Sequence, residues 1–239
     1  MERLGLQVCW ASNAEDIKRV QRFRFKVFSE EYTPQFPQAH LGLDEDLFDP
    51  VCDHLLIFES ATQEIVGCYR IIPPSAAQQI GSMYCDSLFD LTPLQAIRGK
   101  IVEMDRSCID KKYRNGSIIL FMWKLIFNYL KQHGYEYIIG CSSISIADGG
   151  HAAVSLHHRL MDSHHFSTEF AIKAKTPIAL DISPAAGKVF IPPILKGYLN
   201  VGAKVCSEPA FDPLFNTADY LTILKVSDMK PKYVQRFSR

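Results

Sequence analysis

The residues best suited to chemistry lie in one stretch, VEMDRSCIDKKYRNGS, from Val102 to Ser117. It begins like a buried strand yet carries Glu103, Asp105 and Arg106. Charges in a strand core are costly unless they are paired or used. Glu103 could take the proton of an attacking amine. Arg106 could orient that carboxylate, or hold a substrate carboxylate with two parallel hydrogen bonds. A structural ion pair between Glu103 and Arg106 would leave the same trace. The stretch closes on Arg114-Asn115-Gly116-Ser117, just before the apolar run IILFMWKLIFNYL. Unpaired N–H groups at the start of that helix, with Arg114 beside them, make an anion site.

Elements must bring these residues together. Strict alternation would send Glu103 and Arg106 to opposite faces of a strand over Ile101–Ile109. A bulge near Met104–Asp105 would return both to one face and splay the strand from its neighbour. The splay would free backbone groups for an extended, amide-bearing ligand. Ser117–His133 reads as a helix closed by Gly134, and YEYIIGCSS as the next strand. Strand, helix and strand with a short exit loop imply a parallel pair joined by a right-handed crossover.

Leu6–Trp10 reads as a first strand, and Asn13 caps the helix AEDIKRVQRFRFKVFSEE. Arg19, Arg22, Arg24 and Lys26 on that helix could dock an acidic partner or anionic headgroups, or form a plain solvated face. HLLIFES and EIVGCYRIIP form an antiparallel hairpin ended by Pro73-Pro74. Between helix and hairpin lies an acidic loop. Its Asp44, Asp46 and Asp49 could attract a cationic amine or be merely solvated. Arg70, on the second hairpin strand, would pair with these acids or with a substrate carboxylate. Residues 75–100 read as irregular, with one helical turn near Asp86–Phe89. PPILKGYLNVGAKV suggests a proline-started helix weakened by Gly197 and Gly202, and ADYLTILKV a closing strand. The fold class is α+β: a mixed central sheet of six or seven strands with helices on both faces. It forms a single domain over 1–239, with an insertion at about 148–190.

Composition narrows the function classes. The chain has 239 residues and zero formal net charge, so no bulk field argues for a nucleic-acid partner. Seven scattered cysteines without a C-x-x-C pair read as free thiols in a reducing cytosol. His151, His157, His158, His164 and His165 are not spaced to share one ion, so no metal is expected. No apolar leader is apparent, and the longest apolar run, near Ile118–Phe127, is too short to span. The expected location is cytoplasmic, with any membrane contact peripheral and at its inner face.

The strand, YRNGS loop, apolar helix and following strand resemble the acyl-CoA-binding core of the GNAT superfamily of N-acyltransferases. RFRFKVFSEEY, LDEDLFDPVCDHLLIF, IVGCYRIIP, LFDLTPL and VEMDRSCIDKKYRNG, followed by IPPILKGYLNVGAKVCSEPAFDPLFNTADYLTIL, are in series similar to the ornithine N-acyltransferase branch. More distantly, the order of acids, strand arginine and E-x-x-R resembles acyl-homoserine-lactone synthases. The resemblance implies a GNAT-like fold and transfer of a fatty or 3-hydroxyacyl group to the α-amine of an amino acid, ornithine first. It implies no permanently bound cofactor. The co-substrate is acyl-phosphopantetheine on an acyl carrier protein, or acyl-CoA. Arg114, Asn115, Gly116, Ser117, Cys108, Cys141 and Ser142 would line the donor site. Glu103 and Arg106 would be catalytic, and Asp44, Asp46, Asp49 and Arg70 would meet the acceptor. Arg114-Asn115-Gly116-Ser117 carries one glycine where the superfamily loop commonly has two. That suits the single phosphate of phosphopantetheine better than the pyrophosphate of CoA. The alternatives are an acyl-homoserine-lactone-type synthase, using S-adenosylmethionine, and a non-catalytic acyl-carrier- or membrane-binding protein.

Overall fold

A computed structural model describes residues 5–114, 116–187 and 189–238. The chain opens with strand β1 (Leu6–Trp10) and helix α1 (Ala14–Glu31). Asn13 caps α1 as expected, its Oδ1 accepting from Asp16 N at 2.9 Å. The hairpin forms from β2 (Asp53–Glu59) and β3 (Ile65–Ile72), ended by the two prolines. Residues 75–100 are more ordered than expected. They follow or belong to α2 (Pro74–Ile80), a 3-10 turn at Tyr84–Ser87, the short β4 (Phe89–Asp90) and 3-10 turns over Thr92–Lys100. Pro74 starts α2 where its missing N–H is harmless, and the left-handed Gly81 ends it.

Strand β5 (Ile101–Ile109), helix α3 (Ser117–His133) and strand β6 (Tyr137–Ser145) form the expected crossover unit. Helix α3 buries Ile118, Met122, Trp123, Ile126, Phe127 and Leu130, one stripe at helical spacing. Gly134 closes it in the left-handed region. Residues 148–190 hold α4 (His151–Met161) and β7 (Lys173–Ala174), which pairs with β4 in a separate two-stranded sheet. Then come α5 (Pro193–Val201), β8 (Lys204–Val205), β9 (Ala210–Asp212), β10 (Thr217–Lys225) and α6 (Pro231–Phe237).

The main sheet has eight strands, in the order β1-β2-β3-β5-β6-β10-β8, with β9 also on β10. The expected six or seven fell short because β8 and β9 are too brief to show alternation. Only β5 and β6 run parallel among the described pairs. Helices α3, α5 and α6 cover one face, packing Trp123, Tyr198 and Phe237 with Tyr69, Ile71, Val102 and Met104. Helices α1 and α2 cover the other. There Val20 and Val27 meet Leu56, Cys68 and Cys108, while Ala76 and Ala77 join Ile72, Ile101 and Ile139. Burying both faces explains why β5 has so little exposed surface and why its charges need partners.

Candidate active site

Strands β5 and β6 stay in register for three residues only: Ile101 with Tyr137, Val102 with Ile138 and Glu103 with Ile139. Both strands continue well beyond, to Ile109 and Ser145, so the pair opens into a V above Glu103. At the vertex Gly140 permits a close backbone approach. A β-carbon there would lie 2.5 Å from the Met104 carbonyl oxygen.

The expected bulge exists, two residues later than placed. Against β3 the register shifts between Cys68–Cys108 and Arg70–Asp105, leaving Arg106 and Ser107 opposite Tyr69 alone. Arg106 takes φ +48°, a left-handed conformation uncommon for a side chain of its size. The extra residue keeps Arg106 on the face of Glu103 and Asp105 and turns Ser107 toward Tyr69.

Glu103 is fully buried. Its Oε1 accepts the Cys85 backbone N–H at 3.0 Å, and its Oε2 has no hydrogen-bond partner. Burial, with the Asp105 charge behind it, pushes its carboxyl up to about 8. Arg106 does not pair with it. The Arg106 guanidinium faces Asp44 Oδ2 at 3.1 Å and Asp46 Oδ2 at 3.2 Å, between the rings of Tyr84 and Phe215. The Glu103–Arg106 ion pair is therefore absent, and Glu103 keeps a buried, unpartnered carboxylate oxygen at the foot of the V.

The acidic loop is not solvated. Asp44 and Asp49 are buried, and with Asp46 and Asp105 they interlock with Arg24, Arg70 and Arg106. Arg70 is the hub. It reaches Asp46 at 2.5 Å, Asp49 at 2.8 Å and Asp105 at 2.6 Å, so it has no fork left for a substrate carboxylate. Arg24 binds Asp44 and Asp49, each at 2.8 Å. The Nε groups of Arg24 and Arg106 approach Asp44 as ion pairs without hydrogen-bond alignment. Burial alone would raise Asp46 and Asp49. The guanidiniums overcome it and hold both below the usual carboxylate range, Arg70 acting on Asp46 and Arg24 with Arg70 on Asp49. His54 is buried against this network, its Nε2 2.9 Å from the Asp49 carbonyl, and burial lowers its pKa. Of the three expected acceptor-binding aspartates, only Asp46, with 21% of its side chain exposed, retains open surface.

The remaining expected positions are spread. Arg24 cannot dock a partner, being wholly buried; Arg19, Arg22 and Lys26 lie on the outer face. These three are themselves paired, with Asp16, Glu15 and Asp110. Arg114 is tied to Glu31 and to the Ile109 carbonyl at the β5 end. Gly116 takes φ +79° and leads into α3 at Ser117, while Asn115 lies outside the described residues. Cys108 sits in the core under α1, and burial pushes its thiol well up. Cys141 lies 3.4 Å from Cys85, sulfur to sulfur. The Cys85 thiol pulls Cys141 down, but burial and the nearby acids bring it to about 12. Neither thiol is poised as a thiolate nucleophile. Ser142 is buried with an unpartnered hydroxyl.

Sequence reasoning missed four contributors. Cys85 supplies the amide that holds Glu103. Tyr84 covers Arg106 and donates to Asp212 at 2.7 Å. Asp219 on β10 is buried beside Thr217, and burial with Asp212 pushes it up to about 7. Gly140 sets the vertex. Each acts across the sheet, so no local spacing marks it.

Comparison with known proteins identifies the family and the fold. A family profile described as an acetyltransferase (GNAT) domain matches residues 23–124. An L-ornithine N(alpha)-acyltransferase of Agrobacterium fabrum (strain C58 / ATCC 33970) is 31% identical, over 98% of this chain and 86% of its own length. One from Brucella abortus (strain 2308) is 30% identical, over 98% of this chain and 90% of its own. Among solved structures, FeeM, an N-acyl amino acid synthase from uncultured soil microbes, superposes with a TM-score of 0.56. It is 10% identical, and the match covers 93% of this chain and 92% of FeeM. The fold is that of the GNAT-like acyltransferases.

Proposed function

This chain belongs to the L-ornithine N(alpha)-acyltransferase family, and from that membership we propose that it moves a fatty or 3-hydroxyacyl group from a pantetheine thioester to the α-amine of ornithine. One observation carries the reading at the level of residues: Glu103 stands buried where the parallel pair opens, with one carboxylate oxygen unpartnered.

The chemistry follows from that placement. The thioester arm lies in the V, where diverging strands leave backbone groups for its amides. The first turn of α3, with Arg114 nearby, receives its phosphate at the positive end of the helix dipole. The acceptor's α-amine is mostly protonated at neutral pH and must lose a proton to attack. Glu103, with a pKa of about 8, is matched to that transfer, directly or through a water. The neutral amine adds to the thioester carbon and an N–C bond forms. The C–S bond then breaks, and the pantetheine thiolate leaves and takes up a proton. A strand N–H in the V stabilises the oxyanion. The arginine–aspartate network is a rigid wall that fixes β3 and the β5 bulge, with Asp46 its one open carboxylate toward a cationic acceptor.

The donor's carrier is acyl carrier protein, with Arg19, Arg22 and Lys26 on the outer face of α1 as the docking charges. No helix among the described residues is long and apolar enough to cross a membrane; contact with the inner membrane face would be peripheral.

The test is to incubate the purified protein with hydroxylated and saturated acyl carrier proteins, the matching CoA thioesters and a pool of amino acids. New amides are read by mass spectrometry. N-acylornithine is the expected product. A different acylated amino acid would replace ornithine as acceptor. Intact thioester with every amino acid, and a lactone with S-adenosylmethionine, would replace the reading with that of a lactone synthase.

A further inference from the structure

A cleft of about 370 Å³ lies at the end of the sheet away from the V. Tyr137 marks the place. It is the first residue of β6 and pairs with Ile101, where the parallel pair is still closed. Lys225, the last residue of β10, lies opposite Tyr137 and lines the same cleft. Lys204 of β8 and Lys230, just ahead of α6, line it too, with His164 and His165 from the segment after α4. The acyl-transfer site uses none of these residues.

Three ammonium groups from three separate segments thus surround one recess, and none forms an ion pair among the described residues. Lys204 donates to the His164 carbonyl and Lys230 to the Leu199 carbonyl, the latter at 3.3 Å, which fixes both at the wall. An ammonium has three N–H donors, so two remain on each. Lys225 stands 6.0 Å from the centre of the Tyr137 ring and has no hydrogen-bond partner. Glu169 and Asp228 also line the cleft, but neither pairs with a lysine, and Asp228 accepts from Ser227 at 2.9 Å. His165 feels the positive surroundings: burial first, then His164, Lys230 and Lys204, lower its pKa. Like charges gathered in a recess repel one another, and a bound anion removes that cost. The donors fit a phosphate group better than a carboxylate. A carboxylate is planar and matches the fork of an arginine, and no arginine lines the cleft. Lysine ammoniums are point charges, and three on different walls suit a tetrahedral group whose oxygens point several ways. The volume falls within the roughly 300–1,000 Å³ of ordinary small-ligand sites. Tyr137 and Phe170 give ring faces for the organic part.

We propose that this cleft binds a phosphate mono- or diester through Lys204, Lys225 and Lys230. The phosphate belongs to a soluble metabolite or to the headgroup of an anionic membrane lipid, and the recognition chemistry is the same for both. A bound phosphate links β8, the end of β10 and the start of α6, so occupancy stabilises the fold. The site stands whether or not the acceptor of the acyl group is ornithine.

The experiment measures binding by calorimetry and by melting temperature at constant ionic strength. The probes are glycerol 3-phosphate and, as a carboxylate control, acetate. They are tried on the natural protein, Lys225→Gln, Lys204→Gln and Lys173→Gln. Lys225 is exposed and makes no hydrogen bond, so its replacement leaves folding intact; Lys173, exposed on β7, lies outside the cleft and is the control. Glycerol 3-phosphate should bind and raise the melting temperature, and acetate should do neither. Lys225→Gln should weaken binding roughly tenfold or more, as loss of a hydrogen bond to a charged group does, and Lys173→Gln should not. Co-sedimentation with vesicles of phosphatidylglycerol, set against phosphatidylcholine, tests the lipid source. Vesicle binding that falls in Lys225→Gln and not in Lys173→Gln, without binding of glycerol 3-phosphate, assigns the cleft to a lipid headgroup. Binding of glycerol 3-phosphate with the same dependence assigns it to a soluble phosphate ester. Binding of neither, or binding that Lys225→Gln and Lys204→Gln leave intact, overturns the inference.

Discussion

The carbonyl oxygen of Met104 occupies space that a side chain at Gly140 would need, 2.5 Å from the position of its β-carbon. The two strands come closest there and part immediately beyond, so the glycine determines where the V begins. We predict that Gly140→Ala forces the backbones apart, because a carbonyl in a sheet cannot rotate away as a side-chain tip can. The expected cost is about 1–3 kcal/mol in stability, as for other overpacked sites, with a loss of activity of tenfold or more. Gly99→Ala is the control, since nothing lies within 4 Å of its added β-carbon. Equal activity in both variants would remove Gly140 from the account of the cleft.

Glu103 makes two predictions about pH. At pH 7 a carboxyl with a pKa of about 8 is ionised in only about one molecule in ten. The rate should therefore rise with pH toward a limb near 8, and Glu103→Gln should lower the rate and erase that limb. Full activity in Glu103→Gln would end its role as base. The stability effect has the opposite sign. The folded pKa lies above the ordinary 4.5, so the folded state holds its proton where the unfolded chain has released it. The natural protein should thus lose stability as pH rises from about 4.5 to about 8, and Glu103→Gln should flatten that slope in urea titrations.

What could be read from sequence was local. The β2–β3 hairpin, the capped ends of α1 and α3, and the β5–α3–β6 crossover all follow from period and end signals within a few residues. Helix α2 escaped because Pro-Pro announces a break as readily as a helix start. Arg24 shows a signal present but under-read: it lies on the stripe of Val20, Val27 and Phe28, so the helix itself marks it as inward. Its role could then only be ion pairing. Cys85, Asp219 and the Arg70 hub join segments far apart in sequence, and no spacing rule reaches them.

Arg70 holds three carboxylates at once, and no other side chain has the forked geometry to do so. We predict that Arg70→Lys, one compact charge among Asp46, Asp49 and Asp105, destabilises the fold by about 3–5 kcal/mol, as removal of one partner from a buried pair does. The network also fixes the acid limit. Asp46 and Asp49 are held below their ordinary 3.8, so their contribution is complete above that value and is lost as pH falls through the lowered ones. Acid unfolding of the natural protein should begin below about 3.8, and Arg70→Lys should move it upward. A variant with unchanged urea and acid midpoints would mean that the network contributes nothing net.

Gly197 sits inside α5, where alanine would ordinarily add about 1 kcal/mol of helix stability. Here a β-carbon would stand 2.3 Å from the Trp123 ring. That ring is stacked on Tyr198 and buried against the sheet, so it has little freedom to yield. Overpacking of this kind costs about 1–3 kcal/mol, which outweighs the propensity gain. We predict that Gly197→Ala is destabilising in urea and displaces the indole from Tyr198, with a shift in tryptophan fluorescence. A gain in stability with unchanged fluorescence would mean that the indole has room to move.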